Sequence, residues 1–324
     1  MDNCGLLYKY RVNRPLKPVE IEKHLPVDKP SGVKPWFQLS VIRMNSTYLE
    51  CLDKYFMHKG IATGFLVPIF FVFIGVLAFI LVDSIMKYPY PPGELKEVIL
   101  YGSLIYAMTL PCIYFIVLFI KKECFQYTHY PIRFNRKTRM VHVFRTNGTV
   151  LSVPWKNIFF TYRNLGSDTW EVCGMILNAP QNDTVLEVFP LTCRSTFKDE
   201  HVLNQWEFIR CYMEEPEMLQ ELADQVEWCA DITDRKEEFM QGWKYMQLPF
   251  GHYAKLILPL LFLNAIARAF AMFCSKIPRW PEEVEASSYY SPNDPCLRDP
   301  MHYPTEEEFQ VVYKKFHESA SEPQ

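Results

Sequence analysis

The sequence predicts an α+β membrane protein, in which a transmembrane helical hairpin is followed by a small antiparallel β domain with packed helices. Two apolar runs, residues 61–82 and 98–120, contain no Asp, Glu, Lys, Arg or His. After Tyr130 the hydrophobic pattern changes from helical to two-residue periodicity. Basic residues flank the apolar region on both sides, as expected of segments that stay on the cytoplasmic side of a membrane.

Residues 1–60 form a cytoplasmic N-terminal segment, with 10 Lys and Arg against 6 Asp and Glu. It is spotted with Pro and Lys as far as "SGVKPWF" and is expected either to add a strand to the domain or to lie along it. About sixty largely polar residues precede the first apolar run. No secretory signal peptide is therefore expected, and the first span would itself target the chain to a membrane.

Residues 61–120 make the hairpin. At about 1.5 Å per residue the two runs would be roughly 33 and 35 Å long, enough for a hydrocarbon core of about 30 Å. Soluble helices keep a polar face, and these runs have none. In lipid the backbone must satisfy its own hydrogen bonds, so both are expected to be helical, with Pro68 and Pro111 as kinks. The interruption "DSIMKYPYPPGELKE", residues 83–97, reads as an outward loop. Its Pro89, Pro91, Pro92 and Gly93 prevent one continuous helix, and Tyr88 and Tyr90 suit interface depth. Lys54, Lys59, Lys121 and Lys122 flank the spans, whereas Lys87 and Lys96 in the loop are offset by Asp83, Glu94 and Glu97. Both flanks should face the cytoplasm.

The β domain is expected over residues 121–215. "RFNRKTRMVHVFR" reads as two strands around a turn at residues 136–138, and Asn147-Gly148 suits a type I′ hairpin. Further strands at 149–153, 158–162, 170–177 and 185–190 would complete a meander of about six. A helix capped by Thr196 with Asp199 follows, with Val202, Leu203, Trp206, Ile209 and Met213 on one face. A second helix starts at Pro216 and turns Leu219, Leu222 and Val226 inward, within an acidic helical region over 216–254.

Residues 255–274, "KLILPLLFLNAIARAFAMFC", are expected to form a helix lying in the interface or packed against the first two spans, with a third span as the alternative. Pro259, Asn264 and Arg268 oppose spanning, since a central Arg costs roughly 2.5–3.5 kcal/mol on insertion. The acidic tail, 275–324, ends in a short helix with a Thr305–Glu308 capping box and a stripe of Phe309, Val312 and Phe316. The ten cysteines are scattered and form no C-x-x-C, which points to reduced packing residues rather than disulfides or zinc ligands.

The run "IRFNRKTRMVHVFRTNGTVLSVPWKNI", with its hairpin, glycine turn, further strand and Pro-Trp, resembles bacterial pleckstrin-homology-like domains attached to membrane spans. Over roughly residues 35–215 the chain is similar to an uncharacterised bacterial family of two-span proteins, members of which are encoded near type VI secretion effector genes. The resemblance implies a bacterial inner membrane location and a role as an immunity or accessory protein, with an effector or secretion-system protein as partner.

The functional signal in the residues themselves is electrostatic. Lys121, Lys122, Arg133, Arg136, Lys137, Arg139, Arg145, Lys156 and Arg163 face a single acid, Glu123, between positions 121 and 163. Such a juxtamembrane cluster suits anionic lipid headgroups, at about 1 kcal/mol per well-placed side chain, or a protein partner. Its bland counterpart is that the charges set topology and solubility. The acidic helices that follow argue against nucleic acid. With no G-x-S-x-G, H-E-x-x-H or glycine-rich phosphate loop, the expectation is a non-enzymatic binding module without cofactor. The alternatives are a membrane-bound enzyme acting on lipid or envelope precursors, built around His129 or His142, and an oligomeric channel or transporter component.

Overall fold

A computed structural model describes residues 10–91, 93–166, 169–178, 184–196, 200–299 and Lys314. In chain order the elements are β1 (Arg14–Pro15), α1 (Pro18–Glu22), β2 (Val41–Met44), β3 (Tyr48–Cys51), α2 (Ile61–Met86) and α3 (Glu94–Glu123). Strands β4 (Ile132–Asn135), β5 (Met140–Phe144), β6 (Val150–Pro154), β7 (Ile158–Asn164), β8 (Thr169–Leu177) and β9 (Thr184–Thr196) follow. Helices α4 (Glu200–Glu214), α5 (Leu219–Gln225), α6 (Phe239–Gln247), α7 (Leu258–Cys274) and α8 (Glu282–Ser287) complete the described chain. The predicted Thr196–Asp199 cap and the terminal helix with its Phe309 stripe lie outside the described side chains.

The chain divides into a β unit, residues 1–57, 127–237 and 277–324, and a helical unit, residues 58–126 and 238–276. In the β unit one antiparallel sheet runs β2-β3-β4-β5-β6 and the other β1-β9-β8-β7. The predicted single meander is thus split. After β6, a 3-10 turn at Trp155–Asn157 carries the chain from one sheet into the other. The first sheet also takes β2 and β3 from before the apolar region. Strand β3 pairs with β4, setting Glu50 opposite Arg133 and Leu49 opposite Phe134, although 58–126 intervene in sequence.

The two-residue period sends Phe134, Val141, Val153, Phe160 and Phe189 to the interior, where Trp155 and Trp206 stack at 5.7 Å. Phe160 lies 4.5 Å from the Trp206 ring, so α4 is fastened to β7 and to the turn between the two sheets by aromatic contacts worth about 0.5–1.5 kcal/mol each beyond area burial. Val202, Trp206, Ile209 and Met213 are buried as predicted, but so are Glu207 and Arg210. Those two pair at 2.7 Å, and Ser31 Oγ adds a 2.6 Å bond to Glu207. Helix α4 is therefore enclosed rather than one-sided, because the N-terminal segment covers its polar face. The hairpin at 145–149 has a positive φ only at Gly148, with Gly148 N donating to the Arg145 carbonyl at 2.9 Å. This is a three-residue loop with Gly in the left-handed position, not the predicted type I′ turn, which needs positive φ at both central residues.

In the helical unit α2 and α3 run through Pro68 and Pro111 and are 26 and 30 residues long. Both are long and apolar enough to cross a membrane, and only 6% of the most apolar 18-residue stretch of each is buried. The Glu123 carboxylate caps the free N–H groups at the start of α2, accepting from Gly60 N at 2.8 Å and Thr63 N at 2.6 Å. Farther along, Tyr106 Oη donates to the Leu77 carbonyl at 2.9 Å. Helix α7 packs on α2 and α6.

Candidate functional site

The β4–β5 turn builds a basic hollow. Asn135 Oδ1 accepts from Thr138 N at 2.9 Å, Arg136 N donates to the Thr47 carbonyl at 2.8 Å, and Arg139 closes the turn at φ +59°. A left-handed conformation costs a non-glycine residue roughly 1–2 kcal/mol. Arg139 is held there from both ends. Its carbonyl accepts from Trp155 N at 2.9 Å, and its guanidinium donates to the Met213 carbonyl and the Glu214 carboxylate. Glu214 is fixed in turn by Trp155 Nε1 at 2.6 Å.

The result is a cavity of about 560 Å³ lined by Arg136, Lys137 and Arg139 from this turn, Ser46 and Thr47 from the β2–β3 turn, and Met213, Glu214 and Pro216 after α4. A chain segment after α7 braces its rim. Asp294 accepts from Ser46 N at 2.8 Å, and Thr47 Oγ1 donates to the Tyr289 carbonyl at 3.1 Å. Burial alone would raise the Asp294 carboxyl, but hydrogen bonds from Ser46 outweigh it and hold the group below the ordinary range. Among the described residues, Arg136 and Lys137 make no side-chain hydrogen bond or ion pair, and Arg136 Nε is buried. With Arg139 offset by Glu214, those two cations are the donors left for an anionic group.

The remaining basic residues are placed differently. Arg133 is buried, with Nε and Nη2 on Glu50 Oε2 at 2.9 and 2.7 Å, between the rings of Tyr48 and Trp280 at 4.4 and 4.9 Å. It is not presented to a headgroup, because β-sheet register sets it opposite Glu50. Arg145 pairs with Glu187 and Arg163 with Glu171. Lys156 is exposed on the turn before β7. Lys121 and Lys122 occupy the last turn of α3, in the helical unit. The structure thus brings together Arg136, Lys137 and Arg139 out of the nine.

Neither histidine lines the cavity. His129 is buried, 2.9 Å from Thr128 Oγ1. His142 bonds Ser152 Oγ at 2.8 Å, and burial together with nearby Arg133 pushes its pKa down to about 4. It is neutral near pH 7. The described thiols at 51, 112, 124, 173, 211, 229, 274 and 296 are free, and burial raises those of Cys51 and Cys173, in keeping with packing roles.

Sequence reasoning missed Ser46, Thr47, Glu214 and Asp294. Two short runs rich in β-branched and aromatic residues, Val41–Met44 and Thr47–Leu49, on either side of Asn45-Ser46 were a legible hairpin signal for the first two. Nothing local marks Glu214 or Asp294. The model of a family of unknown function, DUF6708, matches residues 110–292. The chain belongs to that family. No curated protein and no solved structure matches it. The family match runs from within α3 through the β4–β5 turn, α4 and α7, and so includes every cavity residue except Ser46 and Thr47.

Proposed function

We propose that this DUF6708 member is a non-enzymatic, membrane-anchored binding module whose basic hollow takes an anionic lipid headgroup. The observation that carries the reading is the pairing of two unengaged cations, Arg136 and Lys137, in an open surface hollow, on a chain that also exposes two long apolar helices. Helices α2 and α3 form the anchor by crossing the bilayer twice, and the β unit lies on the cytoplasmic side of a bacterial inner membrane, in line with the lysines that flank the spans. Two antiparallel sheets closed by α4 support a pleckstrin-homology-like architecture for that unit.

The test is titration of the detergent-solubilised full chain with short-chain phosphatidylglycerol and phosphatidylcholine. The anionic lipid should bind at least tenfold more tightly, and Arg136→Ala with Lys137→Ala should remove that preference. Equal binding of the two lipids would sink the reading. The resemblance to two-span proteins encoded near type VI secretion effectors supplies a biological setting for the same module, as an immunity or accessory protein. In-cell crosslinking from the cavity rim should then capture an effector or secretion-system protein, and this setting falls if deletion leaves cells no more sensitive to effector-delivering neighbours.

A further inference from the structure

We infer that α7 is embedded in a single leaflet of the bilayer and does not cross it, so that the chain contacts acyl chains through three helices while spanning with two. This rests on the membrane anchorage proposed above. The first reason is polarity. A helix resting on a protein in water turns its polar residues outward. Helix α7 does the opposite. Asn264 and Arg268 are 7% and 0% exposed, whereas Leu263, Ile266, Phe270 and Phe273 are 60, 48, 48 and 75% exposed. The charge is met inside the helical unit, since Arg268 Nη1 donates to the Lys59 carbonyl at 3.1 Å and the guanidinium lies 5.4 Å from the Tyr245 ring centroid. An outward face of this kind is satisfied by hydrocarbon, the same surroundings that α2 and α3 require.

The second reason is connectivity. The β unit is one folded body made from chain before α2, between α3 and α6, and after α7. Strand β3 pairs with β4. Met44 N donates to the Arg298 carbonyl at 3.0 Å, and Arg298 N returns the bond at 2.8 Å. Trp280 Nε1 donates to Glu50 Oε1 at 3.1 Å, and Glu285 reaches Arg133 at 3.2 Å. A body so interlaced lies on one side of a bilayer. Each excursion from it must therefore cross an even number of times. Residues 58–126 do so with α2 and α3. Among the described residues of 238–276 α7 is the one candidate for a crossing, and a single crossing by it would put Trp280 and Arg298 on the wrong side.

The third reason is length and position. Its 17 residues span about 25 Å, short of a hydrocarbon core of about 30 Å. Its polar face abuts the first turns of α2, where a Cβ on Gly60 or Gly64 would overlap Arg268 or Asn264. This holds α7 at the end where α2 enters the membrane.

The test uses the full chain in phosphatidylcholine vesicles containing a phospholipid with a diazirine in its acyl chain, with peptide mapping after photolysis. In parallel, topology reporters are fused after Gly93 and after Gln324. Peptides from α2, α3 and α7 should all carry label, and the two reporters should fall on opposite sides. Labelled α2 and α3 with an unlabelled α7 would overturn the inference and leave the anchorage standing. A Gln324 reporter on the Gly93 side would overturn it as well, by showing a third crossing. Absence of label from all three helices would overturn the anchorage itself, and this inference with it.

Discussion

In the β unit the ionic side chains of Lys54, Glu171, Arg133, Glu50, Glu207 and Arg210 are closed away from solvent, whereas in the helical unit Phe71, Phe79, Leu100 and Phe273 stand on the outside. Each arrangement reverses the usual rule for a soluble protein. The reversals have different physical remedies. A buried charge is satisfied point by point: Glu171 pairs with Lys54, accepts from Arg163 Nη2 at 2.7 Å and takes the Tyr10 hydroxyl at 3.2 Å. Burial alone would raise its carboxyl, but the two cations outweigh that and hold it below the ordinary range. An outward apolar face needs no such geometry, only a continuous apolar surrounding. The β unit is therefore sensitive to single atoms, and the helical unit to its environment.

Truncating a buried charge should destabilise the protein most. Glu171→Ala leaves Lys54 and Arg163 without their carboxylate and should cost about 3–5 kcal/mol, read as lost thermal stability of the full chain in detergent. Phe79→Ala, on the exposed face of α2, should change that midpoint little. Equal losses would show that the outer face of α2 is covered by protein.

Two glycines of the helical unit sharpen the contrast. Gly60 sits at φ +94° against the Arg268 backbone, so Gly60→Ala should cost about 2–4 kcal/mol through strain and overpacking. Gly75 has open space around it, and Gly75→Ala should be neutral or stabilise by about 0.5–1 kcal/mol. Unfolding in graded denaturing detergent compares them.

A third prediction concerns pH. The folded state lowers the His142 pKa from 6.5 to about 4, so between those values the unfolded chain binds more protons than the folded one. Stability from this group is complete above pH 6.5 and is lost as pH falls toward 4, by at most about 3 kcal/mol. His142→Gln should flatten that part of the wild-type stability curve, and an unchanged slope would assign it to other groups. The smallest effects belong to the hollow. Arg136→Ala or Lys137→Ala alone should weaken binding of short-chain phosphatidylglycerol by about 1 kcal/mol, roughly fivefold, with the thermal midpoint unchanged.

Much of the fold was legible because some patterns are local. The apolar runs gave α2 and α3, the two-residue alternation gave β4 to β9, and the spacing of Val202, Trp206, Ile209 and Met213 gave the buried stripe of α4. The site was legible only as a density of charge. Arg133 and Arg139 are six positions apart and look alike in the sequence. Their fates differ because β3, from before the apolar region, brings Glu50 against the first, while Glu214 at the end of α4 meets the second.

The positions of the long apolar helices and of the strands follow from hydrophobic period over neighbouring residues and can be read without the fold. The tertiary structure decided which basic residues stay available for an anion, and that the chain after α7 returns to the sheet that β2 began. Those outcomes depend on pairings such as Glu50 with Arg133 and Met44 with Arg298, 83 and 254 positions apart, which no local period encodes.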